Sequence, residues 1–360
     1  MTVHVFTSLT NNYIPKARIL VKSLKKFHPD WVFNVVLNEP LPEWFQVENE
    51  SFDNLISMNE LGIPSLESWI FKHKVTEICT AVKGYAAAYL FEKKGAEKVI
   101  YLDPDIAVFN SLQPIADLLD QHPIILAPHL VKPEEKMDDI IYYEIGSLRW
   151  GVFNLGFFAV SLSEQGKAFI DWWKERLYYF CRDDIPSGLF TDQRWCDWVP
   201  IFFDQLFILR NPEYDVATWN LAQREVNINA DGTILVDNNP LRFYHFSSYD
   251  SGAGSVIVDS IISRGGNSVI REIWDWYARQ LSANGQSEFN VLEWYYDRFD
   301  NREKITSEMR IVYRSRPDLQ ARFINPFDTR SDDGGFYHWW KYIHPQEIAS
   351  QTKVHIKNRG

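Results

Sequence analysis

The N-terminal part of the chain alternates between strand and helix patterns, and this alternation limits the possible folds more than any other feature. Val3–Leu9 and Val32–Leu37 are apolar runs typical of buried strands. Between them, residues 14–28 carry apolar side chains at helical spacing. Because a strand–helix–strand unit joins parallel strands, the sequence predicts an α/β fold with a mostly parallel central sheet flanked by helices.

Two aspartates interrupt a later apolar run. Residues 99–102 have the pattern of a short buried strand, Asp103, Pro104 and Asp105 follow, and residues 106–109 resume the apolar run. Carboxylates at i and i+2 of an extended chain point to the same side, where they repel unless a cation lies between them. Such a spacing also occurs by chance on acidic surfaces. Its position at the end of an apolar strand favours a site for Mg²⁺ or Mn²⁺.

A second apolar strand pattern, over residues 151–162, contains Asn154 and Gly156. A glycine inside a strand weakens it unless another group must approach the backbone closely. Further along, Asp192 precedes Gln193 at the start of a short helix pattern. Asp192 is therefore interpreted either as a helix cap or as a site residue.

Two further polar residues stand out against apolar surroundings. Lys83 lies beside the apolar stripe of a long helix predicted over residues 71–94. His245 lies in a strand predicted over residues 241–247. By itself, a single histidine in a strand is more often an ordinary core or edge residue than a ligand.

The C-terminal part of the chain has a different residue pattern. Aromatic amphipathic helices are predicted over residues 267–282, 289–299 and 306–316. The sequence thus predicts a catalytic domain over residues 1–262 and a mainly helical region over residues 263–360 that packs on it and is possibly related to the acceptor. Three arginines of this region form either an acceptor or lipid surface or ordinary packing, of which packing is favoured: Arg310, Arg314 and Arg316.

The composition excludes several classes of protein. A net charge of −11 argues against general nucleic-acid binding, which depends on neutralising phosphates. The three cysteines have no C-x-x-C spacing, which fits a reducing compartment. No secretory signal and no membrane-spanning apolar run is visible, so the expected location is the cytoplasm, with a peripheral position at the inner face of the membrane as an alternative. Nothing in the sequence predicts an oligomeric state.

Four short motifs follow one another along the chain, and their order is informative. They are Asn12-Tyr13, Asp103-x-Asp105, Phe153-Asn-x-Gly-Phe157 with Asp192-Gln193 after it, and Tyr244-His-Phe-Ser247. In this order they resemble the GT-A glycosyltransferases, whose fold is Rossmann-like. The chain is most similar to the retaining, family-8-like group that includes bacterial lipopolysaccharide galactosyltransferases and glycogenin. The resemblance covers roughly residues 1–260.

The resemblance implies a role for each matching residue. Asp103, Asp105 and His245 would hold Mn²⁺ or Mg²⁺, and the imidazole favours Mn²⁺. Asp192, Gln193 and Lys83 would be the catalytic residues, with Gln193 beside the anomeric carbon and Lys83 facing the sugar and the diphosphate. The nucleotide-sugar would be bound by a larger set, in which Tyr13 stacks on the base: Thr7, Asn12, Tyr13, Lys83, Asp103, Asn154, Gly156, Asp192 and Gln193.

The implied reaction moves a hexose from a nucleotide-sugar, with a UDP-sugar favoured, to a glycan or lipid-linked saccharide in bacterial surface-polysaccharide or lipopolysaccharide synthesis. Retention of configuration is favoured, with the departing phosphate oxygen taking the acceptor proton and Gln193 presenting its dipole to the cationic sugar. Inversion would instead need a carboxylate base on the opposite face, for which Asp192 is the candidate.

The chain departs from the family pattern in two places. Ser8, Leu9 and Thr10 stand where the family often has an acidic residue near the base. The lysine that commonly follows the metal histidine is absent, and Arg264 could take its place.

Two other functions are weighed against this one. A nucleotidyltransferase or sugar pyrophosphorylase usually has a glycine-rich phosphate loop near the first strand, and residues 7–12 contain no glycine. A non-catalytic carbohydrate-binding protein on the same scaffold is disfavoured because the whole set of site residues is present.

Overall fold

The computed structural model describes residues 2–266, 268–330 and 335–347, and its architecture is the α/β class that the sequence predicts. The strands are β1 Val3–Leu9, β2 Val32–Leu37, β3 Asn54–Ser57, β4 Lys98–Leu102, β5 Ile106–Val108, β6 Ile124–Pro128, β7 Phe153–Ser161, β8 Asp183–Asp184, β9 Leu189–Phe190, β10 Leu206–Ile208, β11 Val226–Ile228, β12 Ile234–Val236, β13 Asn239–Pro240 and β14 Phe243–His245. The α-helices are α1 Ile14–Lys25, α2 Leu66–Phe71, α3 Val75–Ala81, α4 Lys83–Lys93, α5 Gln113–Leu118, α6 Met137–Asp139, α7 Ile145–Trp150, α8 Glu164–Phe180, α9 Val199–Phe202, α10 Ala253–Ser263, α11 Val269–Ala283, α12 Gln286–Phe289, α13 Ser307–Ser315, α14 Pro317–Arg322 and α15 Gly335–His338. Short 3-10 or π turns lie at Asn11–Tyr13, Val47–Asn49, Met58–Leu61, Ile140–Glu144, Ile185–Ser187, Gln193–Trp198, Leu221–Gln223, Tyr295–Asp297 and Trp339–Ile343.

The central sheet has seven strands in the order β10-β6-β7-β4-β1-β2-β3. β7 runs antiparallel to its neighbours β4 and β6, and the other neighbouring pairs are parallel. The mostly parallel sheet is therefore confirmed. Helices cover both faces, which is why strands such as β1 and β4 are buried along their whole length. The carboxyl end of β4, near the middle of the sheet, leads directly into Asp103 and Asp105.

A small antiparallel pair, β14 with β5, lies next to this end of the sheet. The pairing sets His245 opposite Ile106. In addition, the Phe246 N–H donates to the Asp105 carbonyl oxygen at 2.9 Å. The backbone therefore brings a histidine from late in the chain to the two aspartates.

Helix α11 supports the outer side of β14. The Tyr277 ring stacks on the Phe246 ring with centroids 3.8 Å apart. The Trp274 indole N–H donates to the Tyr244 hydroxyl at 2.9 Å. The C-terminal region thus packs against the strand that carries His245.

The last helices pack around Phe71 at the end of α2. The buried Arg310 donates to the carbonyl oxygens of Phe71 and His73, at 3.3 and 2.9 Å. Arg314 contacts the buried Glu77, so Arg310 and Arg314 make packing contacts of the kind favoured from the sequence. Arg316 instead pairs with the exposed Asp318 at the surface. The domain division at residue 262 remains a prediction. Helix α10 crosses that boundary, and residues 267, 331–334 and 348–360 of the predicted C-terminal region lie outside the described residues.

The single helix predicted over residues 71–94 is wrong. The stretch begins at the last residue of α2 and contains two further helices, α3 and α4, which a turn at Val82 separates. The turn sets Lys83 at the start of α4, where its side chain enters the interior. Helix α4 also packs closely on α8, because a Cβ on Gly84 would lie 2.9 Å from the Lys174 Cα.

One other local prediction is also wrong. The stretch 289–299, predicted as a helix, contains only the end of α12 and a 3-10 turn. Residues 132–147 become helical from Met137. Helix α10 begins at Ala253, eight residues after the end of β14. Over the described ranges, every helix is either too short or too polar to cross a bilayer.

Candidate active site

Asp103, Asp105 and His245 form a compact acidic group at the carboxyl end of β4. One ligand atom from each residue lies within 4.8 Å of the others. The His245 Nε2 atom is 3.1 Å from Asp105 Oδ1 and 3.7 Å from Asp103 Oδ2. Two hydrogen bonds fix Asp103, since its N–H donates to the Gly156 carbonyl oxygen at 2.8 Å and its Oδ1 accepts from the Tyr101 hydroxyl at 2.5 Å.

The electrostatics of this group fit a divalent cation. Two carboxylate oxygens and one imidazole nitrogen are ligands that suit a transition metal such as Mn²⁺. Burial alone would raise the pKa of Asp105, but His245 holds it below its usual value. Burial alone would likewise lower the pKa of His245, but Asp105 raises it. The carboxylates therefore already attract positive charge at the point where their oxygens converge.

Lys83 extends the site on its other side. Its Nζ atom lies 2.8 Å from Asp192 Oδ2 and 3.6 Å from Asp103 Oδ1, and it donates to the Leu155 carbonyl oxygen at 2.8 Å. Burial opposes the charge on this lysine, but Asp103 and Asp192 raise its pKa overall. The ammonium ion therefore links Asp192 to the metal group through Asp103.

Asp192 does not cap the helix that follows it. Its side chain makes no capping hydrogen bond to the 3-10 turn that starts at Gln193, so the structure does not support the cap interpretation. Burial raises its pKa, while Lys83 opposes that effect. The preceding residue, Thr191, has a φ of 45°, which is unusual for a β-branched residue. Backbone strain of this kind is often found at functional sites.

Asn154 and Gly156 lie in β7, and Gln193 lies at the start of a 3-10 turn. The Gln193 amide donates to the Trp150 carbonyl oxygen at 2.8 Å. Asn154 Oδ1 accepts from the Gly156 N–H at 3.1 Å. A Cβ on Gly156 would lie 2.4 Å from the His245 Cε1 atom. The close approach predicted at this glycine is therefore made by the histidine ring.

The residues predicted to hold the nucleotide lie at the end of β1. Thr7 is buried, and its hydroxyl has no hydrogen-bond partner in the part of the chain that the structure describes. Asn12 Oδ1 accepts from the Thr10 hydroxyl at 2.7 Å. Burial raises the pKa of Tyr13, and the nearby carboxylates of Asp105 and Asp250 raise it further. Tyr13 thus lies within electrostatic range of Asp105, and its stacking on a base remains a prediction.

Lys16 is a residue that sequence reasoning missed. It is buried, its Nζ atom lies 2.6 Å from Asp250 Oδ2, and it lies 3.9 Å from the centroid of the Tyr13 ring. The apolar spacing of α1 does not mark position 16, and the burial of this lysine in the first turn is visible only in the folded structure. Arg264, considered as a phosphate-binding residue, instead contacts Asp139 at 3.2 Å.

Comparison with known proteins adds a family match. The model of the family described as "Glycosyl transferase family 8" matches residues 4–228. The uncharacterized protein YfnF of Bacillus subtilis (strain 168) is 26% identical over 254 residues, which are 69% of this chain and 82% of YfnF. The uncharacterized protein YfnD of the same organism is 23% identical over 252 residues, covering 69% of this chain and 78% of YfnD.

Two solved structures resemble the chain more distantly. The glycosyltransferase GlyE of Streptococcus pneumoniae TIGR4 has a TM-score of 0.42 at 16% identity, covering 73% of this chain and 64% of GlyE. The galactosyltransferase LgtC, solved with donor and acceptor sugar analogues, has a TM-score of 0.39 at 15% identity, covering 69% of this chain and 88% of LgtC.

Proposed function

The chain belongs to glycosyl transferase family 8 and is a glycosyltransferase, and from this premise we propose that it transfers a hexose from a nucleotide-sugar with the help of a divalent cation. A UDP-sugar is the favoured donor and Mn²⁺ the favoured ion, with Mg²⁺ as the alternative. The acceptor is a glycan or a lipid-linked saccharide.

This proposal is based on one observation: Asp103 lies between two groups that can carry positive charge. On one side it lies 3.7 Å from His245 in the metal group, and on the other it lies 3.6 Å from the Lys83 ammonium. Cleavage of a sugar–diphosphate bond leaves negative charge on the diphosphate and positive charge on the sugar. A site with cationic groups next to carboxylates can stabilise both.

Each group has a distinct task in this reaction. A cation bound by Asp103, Asp105 and His245 would neutralise the leaving diphosphate. Lys83 and Lys16 add positive charge at the edges of the same site and are suited to contact phosphate oxygens. Gln193 and Asp192 are proposed to line the sugar pocket, with the Gln193 dipole facing the anomeric carbon.

We favour retention of configuration at the anomeric carbon. Asp192 contacts Lys83, which in turn contacts Asp103, so its carboxylate lies on the side of the metal group. A base for an inverting reaction would have to face the opposite side of the sugar from the diphosphate. The position of Asp192 therefore supports retention, in which the departing phosphate oxygen takes the proton of the acceptor.

The setting proposed for this activity is bacterial surface-polysaccharide or lipopolysaccharide synthesis on the cytoplasmic side, with peripheral contact to the membrane. This setting follows from the resemblance of the chain to enzymes of that group, and the acceptor itself remains to be identified.

Calorimetric titration with UDP and with GDP, each with and without Mn²⁺, tests the donor site. We expect UDP to bind tightly only with Mn²⁺, and Asp105→Ala to abolish that dependence. The exposed carboxylate of Asp171 gives a matched control, since Asp171→Ala removes an aspartate that pairs with Lys174 on the surface. If neither nucleotide binds, the proposal of a nucleotide-sugar enzyme fails and a non-catalytic scaffold is favoured.

A second experiment identifies the sugar and the stereochemistry. UDP release from a panel of UDP-hexoses, measured without acceptor and then with candidate saccharides, identifies the donor. Proton NMR of the purified product then gives the anomeric configuration. An inverted product would refute retention while leaving the assignment as a metal-dependent transferase intact.

A further inference from the structure

Asp215 is a buried carboxylate next to the metal group, and no hydrogen bond among the described residues explains its burial. Its relative exposure is 1%, and neither carboxylate oxygen has a hydrogen-bond partner among the described residues. Buried polar groups are normally hydrogen-bonded, and a buried carboxylate without partners is costly. Its position therefore calls for a role that the protein contacts alone do not supply.

The carboxylate faces one edge of the His245 ring. Asp215 Oδ1 lies 3.7 Å from His245 Nδ1, while the other ring nitrogen, Nε2, lies 3.1 Å from Asp105 Oδ1. The Nδ1 atom also lacks a hydrogen-bond partner among the residues that the structure covers. The two unpaired atoms are therefore close neighbours, 3.7 Å apart, which is a little longer than a hydrogen bond.

The backbone holds Asp215 in this place. The Val216 N–H donates to the Phe243 carbonyl oxygen at 3.3 Å, and the His245 N–H donates to the Val216 carbonyl oxygen at 2.8 Å. The Asn220 amide donates to the Asp215 carbonyl oxygen at 2.9 Å. These bonds fix the loop before β11 against the strand that carries the histidine.

Asp215 also has a left-handed backbone, with a φ of 47°. Aspartate tolerates this conformation better than most residues, but it is still uncommon. A strained, buried and unpaired residue is expected where the surrounding structure enforces a function. Burial lowers the pKa of two other buried groups, His129 and Arg224, and Asp215 opposes that effect, so a purely structural role would be to balance the Arg224 guanidinium.

We propose that Asp215 is a positioning residue that accepts a hydrogen bond from His245 Nδ1 and so directs the unprotonated Nε2 toward the ion held with Asp103 and Asp105. A histidine that binds a metal through one nitrogen usually donates its other N–H to a carboxylate or carbonyl group, which fixes the tautomer and the ring orientation. This inference rests on the proposed function, because it requires an ion at the triad.

The test compares Mn²⁺ affinity in variants of the full chain in the presence of UDP. The free-ion signal in electron paramagnetic resonance gives the fraction of Mn²⁺ bound. Loss of such a partner typically weakens metal affinity by about 10- to 100-fold. We expect Asp215→Ala to lie near the upper end and Asp215→Asn, which keeps the shape and tolerates the left-handed backbone, near the lower end.

Glu213→Gln is the matched control. Glu213 is another buried carboxylate of the same segment, and its Oε2 also lacks a hydrogen-bond partner within the described ranges. It has no ion pair with His245. Glu213→Gln is expected to leave Mn²⁺ affinity unchanged, and thermal unfolding of each variant separates misfolding from loss of the ion. If Asp215 only balances Arg224, its variants lose stability but bind Mn²⁺ as the wild type does.

A measurement on the wild type needs no variant. With ¹⁵N-labelled histidine and with UDP and the diamagnetic ion Mg²⁺ bound, the ring-nitrogen shifts report the tautomer of His245. Protonated Nδ1 supports the inference, and protonated Nε2 overturns it. If the wild type binds Mn²⁺ and Asp215→Ala binds it equally well, only the role of Asp215 is overturned. If the wild type binds no Mn²⁺ in the presence of UDP, both the proposed function and this inference are refuted.

Discussion

His245 lies against the main chain of Gly156, so this position has no room for a side chain. In Gly156→Ala, the new Cβ would lie 2.4 Å from the His245 Cε1 atom and would push the ring away from Asp105. We expect the Mn²⁺-dependent part of UDP binding to be lost in calorimetry while the far-ultraviolet circular dichroism stays unchanged. Equal Mn²⁺-dependent binding in the variant would show that the ring can move without losing the ion.

Lys83 is expected to contribute to stability as well as to the site. In Lys83→Met, Asp192 would keep a buried charge without its partner at 2.8 Å. Removing one member of a buried ion pair costs about 3–5 kcal/mol, so the free energy of unfolding in urea at neutral pH should fall by about that amount. The double variant Lys83→Met/Asp192→Asn should recover part of the loss, because no carboxylate is then left unpaired at position 192. A double variant no more stable than Lys83→Met would contradict this explanation.

Sequence reasoning identified the residues whose spacing is local or whose motif is distinctive. Asp103 and Asp105 were predicted from two carboxylates at the end of one strand, and the ordered motifs added His245, which the structure brings next to them. Lys16 was missed because its neighbours are far along the chain. Its ammonium ion meets Asp250 only after α1 has packed beside the turn that follows β14.

Among the secondary-structure elements, α11 has a consequence for the site because it supports β14. The Tyr277 ring is buried and stacks on Phe246, the residue after His245. Tyr277→Ala should lower the free energy of unfolding by about 3–5 kcal/mol, as other buried aromatic truncations do. It should also weaken Mn²⁺ binding, because β14 loses its support.

Arg279→Ala is the control for this prediction, because Arg279 is exposed on the same helix. It should leave both the urea unfolding midpoint and Mn²⁺ binding unchanged. A Tyr277→Ala variant that is destabilised but binds Mn²⁺ normally would show that β14 holds its place without α11.

Strands β1, β2, β4, β7 and β14 and the amphipathic helices α1, α11 and α13 were predictable because their apolar pattern is local. The short strands β3, β8, β9 and β10 have too weak a pattern and were not predicted. The breaks between helices were not. The turn before α4 lets Lys83 reach Asp192, and the extended chain after α12 lets Trp294 and Tyr295 donate to Asn38 and Glu39. Tertiary hydrogen bonds and ion pairs of this kind override local helix propensity, and no periodicity in the sequence records them.

The whole molecule carries a net charge of −11, although its proposed donor is itself an anion. Without an ion, Asp103 and Asp105 would repel a diphosphate placed beside them. We therefore expect a chelator to weaken UDP binding by about tenfold or more, equivalent to about 1.4 kcal/mol. Binding of uridine, which has no phosphate, should be unchanged. Calorimetry with both ligands checks this, and an equal loss of uridine binding would indicate that the ion holds the fold rather than the phosphates.

The pairing of β14 with β5 joins residues that lie far apart in the chain, so it also sets an order of events during synthesis. The ribosome releases Asp103 and Asp105 long before His245. The two carboxylates therefore have no histidine partner until β14 has been synthesised and pairs with β5. Such distant pairings form slowly. A nascent chain therefore lacks the third ligand until about two thirds of the chain has been synthesised. The proposed reaction with the donor would become possible only after the strands of the central sheet have been made.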